Sequence, residues 1–205
     1  MEWEAFSMKL WEKCVLFGLF CAVLFSMLGF TAQCESIPGE VLRLHILANS
    51  DSDADQTLKL RVRDRLLEEN GSLMDGVTTR EEAIQAVQDA LPQLCEAAQD
   101  EVLAAGYSYP VQAELVEMYF PTRQYDNVTL PAGRYQALRV TIGEGAGHNW
   151  WCVLFPALCL PAAQDSASLD DVLSSGELDV VQGDYEVKFK AVELYEQFRG
   201  WVENW

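Results

Sequence analysis

The segment RLHILANSDSDADQTLKLRVRD, residues 43–64, decides the fold of this chain because it encodes a strand, a turn and a helix in succession. Residues 41–48 alternate in polarity and are rich in branched side chains, which predicts a β-strand. Residues 49–53 are short, polar and acidic, which predicts a turn. Ser52 and Asp55 have the spacing of a helix-capping pair, so a helix is expected to follow directly.

The helix that follows the turn has a clear apolar repeat. Every fourth residue is apolar, which predicts a buried side made of Leu58, Val62 and Leu66. Gly71 is expected to end this helix near Asn70. The other side is unusually basic for so acidic a protein.

The remaining elements are predicted from the same signals. A second helix is expected from Thr78 or Thr79 to Gly106, with a kink or a break at Pro92. Further strands are expected at residues 111–120, 134–142 and 151–155, with a loop at residues 122–133. The final helix is predicted over residues 186–205, with one apolar side formed by Ala191, Leu194, Tyr195, Phe198, Trp201, Val202 and Trp205.

These elements predict an α+β fold in which a small mixed sheet packs with about three helices, preceded by an N-terminal signal or anchor helix. Residues 1–34 form that leader, residues 36–40 are expected to be a short linker, and residues 41–205 form one extracytoplasmic domain. Residues 161–184 are rich in Ala, Ser, Asp and Gly. They predict a mobile acidic loop with a short helical piece near Asp170.

Composition excludes some classes of function. The chain has 205 residues, 14 Lys and Arg against 32 Asp and Glu, and a formal net charge of −18. Nucleic acid binding needs many basic residues, so no nucleic acid partner is expected. The same charge argues against adsorption to anionic lipid head groups.

The N-terminal segment has a different character. Residues 14–32 form an uncharged apolar run that is about long enough to cross a bilayer. There is no A-x-A cleavage site, and Gln33 before Cys34 does not fit a lipoprotein box. Two interpretations follow: an export signal with a poor cleavage site, or an uncleaved membrane anchor. In both, the rest of the chain leaves the cytoplasm.

Cys152 and Cys159 flank the segment VLFPAL. Their spacing suits a small disulfide-closed loop in an extracytoplasmic domain, worth roughly 2 kcal/mol. Two buried free thiols remain the alternative. The spacing does not suit zinc.

No catalytic constellation stands out. His45 and His148 could build a metal site with Glu144 or Asp51, but their spacing is not diagnostic, and neither metal nor cofactor is predicted. Cys152 with His148 as base lacks an evident oxyanion donor. The glycines of GEGAGHNWW lack the Lys of a phosphate-binding loop, so a tight connection between strands is expected.

Two groups of side chains suit either packing or recognition. Trp150 and Trp151 are adjacent, so in a strand they point to opposite faces, and an exposed Trp could anchor a protein contact. The basic residues Arg43, Arg61, Arg63 and Arg65 could pair with surplus carboxylates in a surface network or contact a partner.

Several segments together resemble the stage II sporulation protein R family. They are LRLHILANSDS, DQTLKLRVRD, EMYFPTRQY, LPAGRYQALRVTIGEGAGHNWWCVLFPALC and VKFKAVELYE. The resemblance implies a secreted signal of endospore formation, exported into the space between forespore and mother-cell membranes. There it would activate a membrane-embedded aspartic protease, which cleaves the precursor of an early mother-cell sigma factor.

On this basis the chain is expected to be an activating ligand and not an enzyme. Its expected contact surface combines the turn, the basic helix face and the glycine loop, with Arg43, His45, Asn49, Asp51, Arg61, Arg63, Glu144, His148, Asn149 and Trp150. The alternatives are an extracytoplasmic hydrolase that uses Glu144, His45 or His148, and a structural protein of the septum.

Overall fold

The computed structural model describes residues 9–125, 128–156, 158, 168–183 and 185–203. In these residues the helices are α1 (Leu10–Ser36), α2 (Asp53–Leu73), α3 (Arg80–Ala104), α4 (Leu169–Val172), α5 (Ser175–Gln182) and α6 (Glu186–Glu203). The strands are β1 (Leu42–Leu47), β2 (Val111–Phe120), β3 (Arg123–Tyr125), β4 (Val128–Leu130), β5 (Gly133–Ile142) and β6 (Asn149–Phe155).

Four strands form one mixed sheet in the order β2-β5-β1-β6. Strand β1 pairs in parallel with β5, while β6 pairs antiparallel with β1 and β2 pairs antiparallel with β5. Strands β3 and β4 form a separate two-stranded ribbon. The predicted α+β class and the mixed sheet are confirmed.

The sheet is covered on both faces. Leu42, Leu44 and Ile46 of β1 pack in one core with residues of α2 and α3. The second core contains side chains from α1, the ribbon, α5 and α6, and it covers the other face. Arg43 and His45 belong to that other face because successive side chains of a strand alternate. The polar residues of β1 therefore point into a covered face and not into water.

Helix α2 begins where the sequence predicts and ends later. Leu58, Val62 and Leu66 are buried, which confirms the predicted apolar side. The helix continues to Leu73, so the predicted end at Gly71 is wrong. A glycine inside a helix costs only about 1 kcal/mol relative to Ala, which the buried Met74 just beyond it can offset.

Helix α3 begins with a complete capping box. The Thr79 side chain accepts a hydrogen bond from Glu82 N, and the Glu82 carboxylate reaches back to the Thr79 backbone. Pro92 lies inside the continuous helix Arg80–Ala104, so it does not split the helix, and the alternative expectation of a kink stays a prediction.

Three stretches differ from the predicted loops and linker. Residues 123–125 and 128–130 form the ribbon, whose strands are only three residues each and too short to show an alternation. Helix α4 confirms the helical piece near Asp170, but α5 occupies residues predicted to be loop, and its Val180 and Val181 are buried. Residues 36–40 are not a free linker, because Ile37 is fully buried in a 3₁₀ turn.

Helix α1 has two different parts. In the described residues it is the one helix long and apolar enough to cross a membrane. Its first two thirds expose large apolar side chains, whereas Phe30 and Cys34 near its end are buried in the second core. The Phe30 ring meets Tyr185 and Phe189 edge to face, with ring centroids 5.3 Å apart in both pairs. The folded domain therefore begins before Cys34.

Replacing Phe30 by Ala should lower the free energy of unfolding by about 3 kcal/mol, the lower end of the cost of a buried Phe→Ala change. Phe25→Ala on the same helix is a matched control, because Phe25 is 73% exposed and should change stability by less than about 0.5 kcal/mol. Urea titration of the full-length chain in mild detergent measures both. Equal stability of the two variants would show that the end of α1 is not part of the core.

Candidate functional site

The turn after β1 and the loop after β5 meet at one end of the sheet. The two strands are parallel neighbours, so their carboxyl ends lie side by side. Residues 49–53 follow β1 and end at the first residue of α2. Residues 143–149 follow β5 and end at the first residue of β6. We refer to these two segments as the turn–loop surface. The sequence predicted both parts of this surface, and the structure brings them together.

Asn49 is the internal support of the turn–loop surface. Its side-chain oxygen accepts a hydrogen bond from Glu144 N at 3.1 Å, and its amide nitrogen donates to Asp55 Oδ2 at 2.9 Å. Its backbone oxygen also accepts a bond from Ala146 N. All of these bonds lie within the chain, so Asn49 fixes the geometry of the loop.

Two glycines permit this close approach. Gly143 has a φ of +60°, and a Cβ on it would lie 2.2 Å from Asn49 Oδ1. A Cβ on Gly147 would lie 2.2 Å from Ser50 O. Any larger residue at either position would separate the loop from the turn. The prediction of a tight connection between strands is confirmed.

Asp51 and His148 form the exposed centre of the surface. Asp51 Oδ1 accepts a hydrogen bond from His148 N at 2.6 Å and also contacts Nδ1 of the same ring. Both side chains are more than half exposed. Glu144 and Asn149 are exposed beside them. The arrangement presents acidic, amide and imidazole groups on a fixed backbone.

Asp55 holds the start of α2 against the turn. Its Oδ2 accepts hydrogen bonds from Ser50 Oγ and Asn49 Nδ2, and Asp55 N donates to Ser52 Oγ at 3.2 Å. The hydrogen bond from Ser50 is the main reason why the pKa of Asp55 is lowered. The predicted Ser52 cap is therefore confirmed, and the Asp55 carboxylate binds the turn through Ser50 and Asn49.

Lys59 is a part of the site that sequence reasoning missed. Its side chain is buried, and Nζ donates to His148 O at 2.9 Å and to Gln56 Oε1. Burial lowers the pKa of Lys59, and the positive charge of Arg63 lowers it further. The negative charge of the Asp51 carboxylate acts in the opposite direction and raises it. The available signal was the position of Lys59, directly after Leu58 and one turn after Asp55 on the buried side of α2.

The two tryptophans lie on opposite faces, as predicted. The guanidinium of Arg63 lies 4.4 Å from the centre of the Trp150 ring on the α2 side. Trp151 stacks on His45 on the other side, with ring centroids 4.0 Å apart. Arg63 and Trp150 thus adjoin the turn–loop surface, and Trp151 belongs to the second core.

The other arginines of α2 form the predicted network of surface ion pairs. Arg61 pairs with Glu101 of α3 at 2.7 Å, and Arg65 pairs with Glu69 at 2.6 Å. Arg63 also pairs with its neighbour Asp64. Arg61 is therefore engaged with α3 and is not brought to the turn–loop surface.

Arg43 was predicted as a contact residue, and its burial contradicts this. The side chain has no exposed surface, so it cannot touch a partner. The guanidinium lies 4.3 Å from the ring centre of Phe120 and 4.9 Å from that of Tyr135, and Nε donates to Cys152 O at 3.1 Å. Burial lowers its pKa. The role of Arg43 is structural, because its cation joins β1 to β6 and to an aromatic shell.

His45 is also buried and connects the surface to the core. Its Nε2 lies 2.8 Å from Asn149 Oδ1, and the ring lies between Trp151 and the edge of Phe120. Burial lowers its pKa, and the positive charge of Arg139 adds to this effect. His45 therefore positions Asn149 and is not itself available to a partner.

The structure limits the possible chemistry. Cys152 is disulfide-bonded, which removes it as a nucleophile paired with His148. Cys159 lies outside the described residues, so its pairing with Cys152 stays a prediction. Across the part of the chain that the structure describes, no three His, Cys, Asp or Glu side chains are grouped to hold a metal. A cleft of about 1020 Å³ lies elsewhere, between the ribbon and the start of α6.

Comparison with known proteins identifies the family. A family model described as stage II sporulation protein R matches residues 38–165, which is more than half of the chain and includes the whole turn–loop surface. The chain belongs to this family.

A curated relative supports the assignment. The chain is 39% identical over 157 residues to stage II sporulation protein R of Bacillus subtilis (strain 168). The alignment covers 77% of this chain and 66% of the relative, slightly less than two thirds of the relative's length. No solved structure matches the chain significantly. The resemblance inferred from the sequence is thus confirmed at the level of the family.

The lowered pKa of His45 makes stability depend on pH. In the unfolded chain His45 titrates near its ordinary pKa of about 6.5, whereas in the folded chain burial lowers its pKa below that value. As the pH falls below about 6.5, the unfolded state gains protons that the folded state does not, so stability is lost. His45→Gln should reduce this loss by up to about 1.4 kcal/mol per pH unit.

Urea titrations of wild type and His45→Gln at a series of pH values measure this difference. The two proteins are compared by the slope of their free energy of unfolding against pH. Their absolute stabilities also differ because the substitution changes packing in a buried site. Identical slopes for the two proteins would contradict a neutral, buried His45.

Proposed function

We propose that this chain is an exported signalling protein of endospore formation and not an enzyme. It passes from the forespore into the space between the two septal membranes. There it activates a membrane-embedded aspartic protease of the mother cell, which cleaves the inactive precursor of an early mother-cell sigma factor. Membership of the stage II sporulation protein R family is the observation that carries the proposal.

The character of the turn–loop surface supports a role in recognition. Asp51, Glu144, His148 and Asn149 are exposed on a backbone that internal hydrogen bonds hold in place. A preorganised polar surface binds a partner at a low entropic cost, because its loops are already ordered. The contact with the protease therefore includes these four side chains, with Arg63 and Trp150 beside them.

The N-terminal helix supports export or anchoring. The exposed apolar part of α1 suits the membrane, and the domain that follows α1 carries the turn–loop surface. Either as a signal or as an anchor, this helix delivers the domain to the extracytoplasmic side. The partner is then met outside the cytoplasm.

The double variant Asp51→Ala/His148→Ala should reduce cleavage of the sigma-factor precursor by at least about tenfold, which corresponds to a loss of about 1.4 kcal/mol of binding free energy. Both side chains are exposed, so folding and export should be retained. Immunoblots of the precursor in sporulating cells that lack their own copy measure the effect. Gln88→Ala/Asp89→Ala on the exposed side of α3 is the matched control and should signal normally. Normal signalling by the Asp51/His148 variant would place the contact elsewhere.

One observation favours a second candidate function, an extracytoplasmic hydrolase. The Asp51–His148 pair is exposed on the same turn–loop surface as Glu144, and an imidazole oriented by a carboxylate can act as a general base.

Replacing Glu144 and His148 together by Gln separates the two functions. Each amide keeps much of the original shape and hydrogen bonding but cannot transfer a proton. A hydrolase should lose on the order of 10²-fold or more in rate. A recognition surface should retain more than about a tenth of its signalling, because each Gln still offers hydrogen-bonding groups to the partner, unlike the Ala substitutions above. The same precursor-cleavage assay distinguishes these outcomes.

A further inference from the structure

Helix α6 exposes a regular apolar stripe to solvent. Its large apolar side chains include Leu194, which is 59% exposed, and Phe198, which is 63% exposed. The stripe follows an alternating spacing of four and three residues, formed by Val187, Ala191, Leu194, Phe198 and Trp201. This spacing is the seam pattern of a left-handed coiled coil. The sequence predicted this apolar side, and the structure places it outside the two cores.

A different side of α6 attaches the helix to the domain. Phe189 and Val192 are each only 3% exposed and belong to the second core. The Phe189 ring packs against Phe30 of α1. Neither residue is part of the four-three stripe. The stripe is therefore an additional surface and not the face that holds the helix in place.

The apolar stripe of α6 contains no Asp or Glu residue. In the heptad set by the stripe, Glu186, Glu193 and Glu196 fall at positions that point away from the seam. The positions that flank the seam hold Lys188, Lys190, Tyr195, Gln197 and Val202. In a chain with a net charge of −18, a seam without carboxylates avoids repulsion between carboxylates at the contact itself.

The hydrocarbon of a bilayer does not fit as the cover of the second half of this stripe. Lys188 Nζ lies 3.4 Å from Ser26 Oγ, and Arg199 lies 3.7 Å from Glu35, so α6 runs alongside α1 in the same direction. Phe198 therefore lies at the level of an Arg–Glu ion pair. Charged side chains are costly inside hydrocarbon, so this level belongs to water.

We propose that the stripe on α6 pairs with the same stripe on a second copy of this chain, as a parallel two-stranded coiled coil. Copies whose α1 helices enter one membrane in the same direction have parallel α6 helices, which is the orientation that this seam requires. A specific interface buries roughly 800 Å² per partner. Six large apolar side chains that are each about half exposed or more supply most of that area.

The test uses the full-length chain in mild detergent. Light scattering coupled to size-exclusion chromatography should give the mass of a dimer for wild type and of a monomer for Leu194→Glu/Phe198→Glu. In this variant the two introduced carboxylates of one copy would face the same two carboxylates of the other copy, and their repulsion should separate the dimer. The matched control, Leu60→Glu/Leu103→Glu, adds the same charge at exposed apolar positions of α2 and α3 and should remain dimeric. Circular dichroism checks that all three proteins are folded.

Cross-linking in vesicles tests the orientation. Phe198→Cys should give an oxidant-induced dimer above the wild-type background, because this position faces its own equivalent in a parallel seam. Glu193→Cys, which lies away from the seam, should not exceed that background. A monomeric wild type, or a Leu194→Glu/Phe198→Glu variant that stays dimeric, would overturn the proposal. If wild type is monomeric and that variant also loses precursor cleavage, the stripe contacts a different protein.

Discussion

The structure depends on strand β1 being covered on both faces and paired on both edges. It lies between β5 and β6, with the α2–α3 layer on one side and the second core on the other. Its parallel pairing with β5 places the two strand ends together. The turn–loop surface therefore results from the topology of the sheet, and Asn49, Gly143 and Gly147 complete it locally.

Burial of both faces of β1 has an energetic cost at Arg43 and His45. Removing a charged group from water costs several kcal/mol even after relaxation. Arg43 recovers part of this through the Cys152 carbonyl, the Tyr125 hydroxyl and three aromatic rings. His45 avoids the cost by staying neutral, since burial lowers its pKa. These two residues tie the strand to the second core and fix Asn149 at the edge of the candidate surface.

Short-range sequence patterns predicted the helices and strands whose formation depends mainly on neighbouring residues. The alternation around β1, the four-residue repeat of α2 and the capping pair at Thr79 each specify an element without reference to the rest of the chain. The same patterns could not show what covers a face, and Arg43 was therefore expected at the surface. The ribbon was missed because three-residue strands carry no usable alternation. Lys59 was missed because its partner, the His148 carbonyl, is 89 positions away in the chain.

The position of α1 relative to β1 also constrains how the surface can be used. Helix α1 passes through the buried Ile37 into the amino end of β1, whereas the turn–loop surface lies at the carboxyl end. Six residues of extended strand separate these ends by about 20 Å. Since Phe30 and Ile37 pack in the second core, this separation is held by a rigid connection and not by a flexible linker. The chain therefore enters the sheet from α1 at the end of β1 opposite the turn–loop surface, so the connection to α1 lies away from the candidate contact side chains.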